Sequence, residues 1–370
     1  MEMSHGRAAS VLVATLPLLL AVACANTEGA GSGGAGGSGS GGATTGSGGA
    51  PGSGGATAGS GGGDGSGGAS AGSTGGAVGG GNDGSVQEAA GDVPTIETGG
   101  LPDPGTEGDG RFMINRPPTP PEASGRLPGV MAGTMQSLQI PAAGGFSGRS
   151  IQVYTPAGYK AGTPIAFMVF HDGGNDLNTP VIMDNLAFQK KMPPMVGIYI
   201  PPVDRSREYD TVNDNFTKYI TGTVLPAVEA RNITLTKDPE ASGACGHSSG
   251  GILAFTMAWF EPERYRRVLT LSGSFVHLQT PGGDMYNNLV RTTMPLKPIW
   301  VAQIAGSIDA NPQWVQANET MSASLQAAGY HNRYLLINGG THNPASQNRP
   351  NMPDLLTWLW RNYPATGPTM

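Results

Sequence analysis

The sequence predicts an α/β architecture: a mostly parallel central sheet with helices on both faces, preceded by a Gly/Ser-rich tether. Three observations lead there. Short continuous apolar runs, as expected for strands buried on both sides, alternate with segments of helical period. The 60 glycines of the 370-residue chain are crowded into one region, so the folded part is shorter than the length suggests. Finally, Gly246-His247-Ser248-Ser249-Gly250 stands between a run of small residues and the apolar segment Ile252-Leu253-Ala254-Phe255, the setting of a sharp strand-to-helix turn.

Residues 1–24 read as a secretory leader. His5 and Arg7 precede an apolar run that ends at Ala21-Val22-Ala23-Cys24. The run is short for a membrane span, which needs about 20 residues. Small residues before a single cysteine resemble a bacterial lipoprotein cleavage site, with Cys24 as the lipidated N-terminus; cleavage near Ala23 or Ala25 and free secretion is the alternative. Residues 25–110 are a linker. Its core, about 29–81, is almost only Gly, Ser, Ala and Thr, too little apolar surface to offset the ordering entropy. Charge divides along the same line. Residues 1–110 carry Arg7 against ten acidic residues, a net of −9, so the total of −6 leaves +3 for residues 111–370. That part is near neutral, with no basic stripe to suggest a nucleic-acid partner. Two cysteines, Cys24 and Cys245, imply no disulfide framework.

The folded domain is expected over 111–370, with 82–130 lacking regular structure. Alternation over 134–140 and 149–154 predicts an antiparallel pair at a sheet edge. Apolar runs at 164–170 and 196–200 predict buried strands, a third strand leads to the elbow, and others follow at 268–271, 299–304 and 334–337. Helices are expected over 181–190, 214–231, from the elbow to 259, 314–328 and 355–360. Phe216, Tyr219, Ile220, Val224, Leu225 and Val228 give the second of these its apolar stripe, and Pro226 should perturb it.

The chemistry centres on Ser248 in the G-x-S-x-G turn. The pattern alone is weak, since Gly68-Ala69-Ser70-Ala71-Gly72 fits it too; the flanking strand and helix carry the inference. A serine hydroxyl needs a base to become a nucleophile. His342 follows the last strand and precedes the final helix, where the chain order serine, acid, histidine places a base. His171 and His247 are placed to shape the site, and His277 and His331 lie outside it. The acid should follow the strand at 299–304, and Asp309 fits better than Glu319 or Asp284. An oxyanion would need two donors. The Ser249 backbone N–H supplies one; Gly173, in His171-Asp172-Gly173-Gly174, is the expected second, with Asp172 an alternative. The scheme calls for no cofactor and no metal.

The motifs Val169-Phe170-His171-Asp172-Gly173, Arg205-Ser206-Arg207-Glu208-Tyr209-Asp210, Gly246-His247-Ser248-Ser249-Gly250-Gly251 and Ala258-Trp259-Phe260-Glu261-Pro262-Glu263-Arg264-Tyr265 occur in this order. So arranged, the chain resembles the esterase D-like esterases over about 130–364, and within them the enterochelin (siderophore) esterase branch. The resemblance implies an α/β-hydrolase fold, a Ser248–Asp309–His342 triad, and a structural ion pair of Arg205 with Glu208 near the site. True siderophore esterases carry an extra N-terminal domain where this chain has its tether. The expected activity is that of a serine carboxylic-ester hydrolase on siderophore-type or carbohydrate acyl esters. The expected partners are a small-molecule or carbohydrate ester, and a membrane through a lipid anchor only. Other readings are a non-catalytic binding module on the same fold, and an acyltransferase using a sugar alcohol as acceptor.

Overall fold

The computed structural model describes residue 103 and residues 105–172, 177–309, 311–342 and 344–365. The expected leader, Cys24, most of the linker and Gly173 lie outside them. The strands β1 (Gly110–Asn115), β2 (Thr134–Ile140), β3 (Arg149–Thr155), β4 (Ala166–His171), β5 (Met195–Ile200), β6 (Ser242–His247), β7 (Arg267–Leu271), β8 (Trp300–Gly306) and β9 (Asn332–Asn338) form one sheet. Its order is β1-β9-β8-β7-β6-β4-β5-β3-β2. Only the β2–β3 and β3–β5 pairings are antiparallel. The fold is that of an α/β hydrolase.

Side-chain alternation along the central strands builds the two cores. Phe167 and Val169 of β4 point to one face and Met168 and Phe170 to the other. The first face is covered by α4 (Asn215–Tyr219), α5 (Leu225–Glu229), α6 (Ser249–Phe260), α7 (Tyr286–Thr292) and α8 (Pro312–Ala328). The second is covered by α2 (Thr179–Phe188) and α10 (Met352–Leu359), which add Ile182, Leu186, Leu355 and Leu359. Three short helices complete the described set: α1 (Pro121–Ser124), α3 (Arg205–Tyr209) and α9 (Pro344–Asn348).

Two expectations need correction. The helix over 214–231 is split, with a π turn, Ile220–Val224, between α4 and α5. Pro226 has no N–H for the ladder and its ring crowds the preceding turn, so the N–H of Leu225 reaches back five residues to the Ile220 carbonyl. The folded unit also begins before residue 111. Asp109 accepts from Arg361 Nη2 at 2.7 Å and from His331 Nδ1 at 2.8 Å, and β1 runs parallel to β9. Gly and Pro on either side of Arg111-Phe112-Met113-Ile114 hid this strand in a stretch read as irregular.

From β1 the chain crosses to β2 at the far edge. Asn185 of α2, fully buried, holds this crossing: its side chain donates to the carbonyls of Glu122 (2.9 Å) and Gly125 (2.7 Å) and accepts from the Leu127 N–H (2.9 Å).

Arg267, at the start of β7, is completely buried. Its guanidinium bonds the Glu240 carboxylate (3.0 Å), the Glu240 carbonyl (2.6 Å), Asn362 Oδ1 (2.9 Å) and the Leu359 carbonyl. It also lies over the Trp360 ring at 4.8 Å. Loss of hydration pushes it down to about 10. This cation ties the end of α10 to the sheet. Removing one partner of a buried pair strands the other charge. Arg267→Met is therefore expected to cost about 3 kcal/mol, the low end for such losses because Arg266 still pairs with Glu240 at 2.8 Å; the urea midpoint checks it.

His171, the last residue of β4, is buried against Tyr209, with Nε2 3.1 Å from Met257 Sδ. Burial, and then the charge of Arg205, push the imidazole down to about 3. The unfolded chain thus binds a proton that the native state refuses as pH falls from about 6.5. This histidine costs nothing above that value and destabilises progressively below it. Replacing it with phenylalanine should make the fall in thermal midpoint between pH 6.5 and 4 shallower than in the parent, a difference that scanning calorimetry reads.

Candidate active site

Three neighbouring strands, β4, β6 and β7, leave the sheet at the same edge through a non-glycine residue with positive φ: Asp172 (68°), Ser248 (56°) and Ser272 (49°). Such conformations cost of order 1–3 kcal/mol and gather where geometry is over-determined. At Ser248 the constraint is visible. Its φ/ψ of 56°/−119° reverses the chain from β6 into α6, and its N–H is held by the Leu271 carbonyl at 2.8 Å. The turn is so tight that a Cβ on Gly246 would lie 2.1 Å from the Gly250 carbonyl oxygen. One on Gly250 would lie 2.5 Å from Asp172 Oδ2. Gly246 is therefore a steric requirement, whereas a side chain at Gly250 would have to displace the Asp172 carboxylate.

Ser248 is half-buried, and its Oγ lies 3.1 Å from the Oγ of Ser274, in the loop after β7. Asp309, beyond β8, and His342, beyond β9, meet through Nδ1 and Oδ2 at 2.5 Å. A carboxylate only accepts, so Nδ1 carries the proton and Nε2 is the nitrogen able to take one. The Asp309 side chain is 6% exposed and that of His342 31%, so the acid is covered and the imidazole open. His342 is brought to the elbow by His247. The two rings meet edge to face at 4.7 Å, and His247 Nε2 donates to the His342 carbonyl at 2.9 Å. Burial, and then the proximity of His342, push His247 down to about 4, which keeps it a neutral donor at physiological pH. The Trp314 ring stands perpendicular to His342, with centroids 6.2 Å apart.

Ser249 opens α6, where the first backbone N–H groups have no partner within the helix and the dipole favours negative charge. Burial raises the nearby Asp210 carboxylate above its ordinary value, an effect that the Ser249 hydroxyl opposes. Asp172 is unsuited to the second donor role: its N–H already donates to Tyr209 Oη at 3.1 Å.

The expected Arg205–Glu208 pair is not formed. Glu208 instead takes a bidentate bond from the buried Arg149 of β3, at 2.7 and 2.8 Å. The planar guanidinium fork matches a carboxylate better than an i,i+3 neighbour on so short a helix can. Arg205 is freed to reach the site. Its Nε lies 2.9 Å from Asp172 Oδ1, and its Nη2 donates to Asp172 Oδ2 at 3.3 Å and to the His247 carbonyl at 3.1 Å. It clips the exit of β4 to the residue before Ser248. Sequence reasoning also passed over Ser274 and Asp210 as site residues; for Trp314 it offers two uses, lining a sugar- or aromatic-binding cleft or packing in the core, and prefers the second. A signal was present: Leu271-Ser272-Gly273-Ser274 follows the strand next to the elbow, at the edge where the other candidates lie.

Comparison with known proteins bears on the fold and the family. An uncharacterized protein of Bacillus subtilis, YbbA, is 26% identical over 146 residues, 34% of this chain and 57% of that protein. The enterobactin esterase FES of Shigella flexneri, solved in the presence of enterobactin, superposes with a TM-score of 0.55 at 20% identity, over 66% of this chain and 62% of its own. The ferulic acid esterase of Anaeromyces mucronatus gives 0.54 at 14% identity, over 66% and 96%. The feruloyl esterase module of Clostridium thermocellum, complexed with sinapinate, gives 0.51 at 17%, over 68% and 96%. The chain thus spans less than two thirds of YbbA and of the enterobactin esterase, and nearly all of the feruloyl esterases. These likenesses establish a shared fold. Residues 147–359 match the family described as Putative esterase, and the chain belongs to that family.

Proposed function

We propose that the protein is a serine carboxylic-ester hydrolase in which Ser248 is the nucleophile, His342 the general base and Asp309 the acid that orients it. The observation that carries this reading is the 2.5 Å Asp309–His342 pair at the edge of the sheet where the strained elbow presents Ser248. In the proposed reaction Ser248 Oγ attacks the ester carbonyl carbon while His342 Nε2 takes its proton. The oxyanion of the tetrahedral intermediate is met by the Ser249 N–H and, as second donor, by Gly173. Collapse breaks the bond to the alcohol oxygen, which receives the proton from His342. Water, deprotonated by the same imidazole, then attacks the acyl-enzyme and releases the acid and the free serine.

Family membership supports ester chemistry, and relatives of the same fold are named for enterobactin and for ferulic acid. We take the substrate to be a siderophore-type ester or an acyl ester on a carbohydrate. The protein is proposed to be exported and held at a bacterial membrane through lipid on Cys24, with residues 25–110 as spacer.

Ser248→Ala is expected to abolish p-nitrophenyl acetate turnover and labelling by a fluorophosphonate; unchanged turnover would refute the nucleophile. Asp309→Asn should lower kcat by about 10⁴ while leaving the fold intact, because the imidazole loses the group that fixes its tautomer. Steady-state kinetics with a circular-dichroism control reads both. Cys24→Ala should move the protein from the membrane to the soluble fraction, and equal fractionation of the two forms would argue for free secretion.

A further inference from the structure

We propose that Trp314 and Ser274 fix the orientation of the Ser248 hydroxyl through a one-way chain of hydrogen bonds, an inference that rests on Ser248 being the nucleophile. The direction follows from donor chemistry. An indole N–H only donates, so the 2.9 Å contact of Trp314 Nε1 with Ser274 Oγ makes Ser274 the acceptor. Ser274 keeps a second lone pair, so the direction is assigned from its proton: the indole cannot take it, and Ser248 Oγ, 3.1 Å away, is the other side-chain partner of that hydroxyl among the described residues. Ser274 is 0% exposed, so water does not compete for that proton. Its backbone N–H also donates to the Ser248 carbonyl at 3.1 Å, so main chain and side chain both grip the elbow residue.

Once Ser248 Oγ accepts from Ser274, its own proton is directed away from Ser274, free for the base that the proposed function assigns to His342. The donor on Ser248 Oγ also steadies the oxygen as that proton leaves. Trp314 has a second contact in the same place, its ring standing at 88° to the His342 imidazole. The helix that carries it is anchored independently of the indole. Asn318, one turn further along α8, donates to the Gly273 carbonyl at 2.8 Å and to the Trp314 carbonyl at 2.9 Å. Removing the indole N–H thus leaves α8 on the Gly273–Ser274 turn. Ser274 touches the reacting oxygen, and Trp314 is a positioning residue that acts through it.

The test measures fluorophosphonate labelling rates, and kcat and KM for p-nitrophenyl acetate, in the full chain and three variants. Ser274→Ala should lower kcat and the labelling rate about tenfold, the worth of one hydrogen bond, with KM within about twofold. Trp314→Phe, which keeps an aromatic ring beside His342, should lower them about threefold on the same scale. The double variant should be no slower than Ser274→Ala, because the indole has nothing left to act through. Parent-like kcat in Ser274→Ala, or a double variant whose loss is the product of the two single losses, would overturn the chain. Should Ser274→Ala fail to fold, an unchanged labelling rate in Trp314→Phe alone overturns it. Labelling that survives in Ser248→Ala would instead bring down the nucleophile assignment beneath it, a result separate from these.

Discussion

The site depends on one close approach, that of the backbone at Gly246 to the carbonyl of Gly250. The chain reverses there within four residues, and no side chain fits between the two limbs. That contact holds Ser248 at φ 56°, a conformation serine does not keep unaided. The stabilisation comes from the surroundings. β6 lies at the middle of the sheet, α6 is buried along its length up to Trp259, and the Ser248 N–H and carbonyl are bonded by Leu271 and Ser274. The cost of the elbow is small beside the burial of that helix and strand.

Around this fixed point the other groups are attached by short links from separate strands. Arg205 joins the exit of β4 to the His247 carbonyl, and His247 joins the elbow to the His342 carbonyl. Asp309 then holds His342 from the exit of β8. Each link uses a charged group or a backbone carbonyl, so it is directional where apolar packing would not be. Arg149, pairing with Glu208, fixes the short helix from which Arg205 reaches out. A residue far from the serine thus sets the position of one that touches its neighbour.

Much of the fold was legible because its strands are buried on both faces and so read as apolar runs. The antiparallel pair at β2 and β3 was legible for the opposite reason, one face being exposed. β1 was not, since Phe112 and Met113 stand at an open edge between glycines and prolines and show neither pattern. In the candidate site, Ser248, Asp309 and His342 could be proposed from the sequence because each follows a recognisable strand. The partners of Arg205 and Glu208 could not, because Asp172 and Arg149 are far away in the chain and their pairing is settled by three-dimensional geometry. Ser274 and Trp314 were hidden for a similar reason: serine and tryptophan have ordinary structural uses, and only their mutual distances set them apart.

The sheet order puts β1 at one margin and β2 at the other, with seven strands between them, although they are consecutive in the chain. β1 has a single neighbour in the sheet, β9, the last strand to be made. During synthesis the first strand therefore waits, unpaired, until almost the whole polypeptide has emerged. Assembly of this sheet is sealed by its oldest and newest pieces meeting, and any premature end of the chain before residue 338 leaves that seam open.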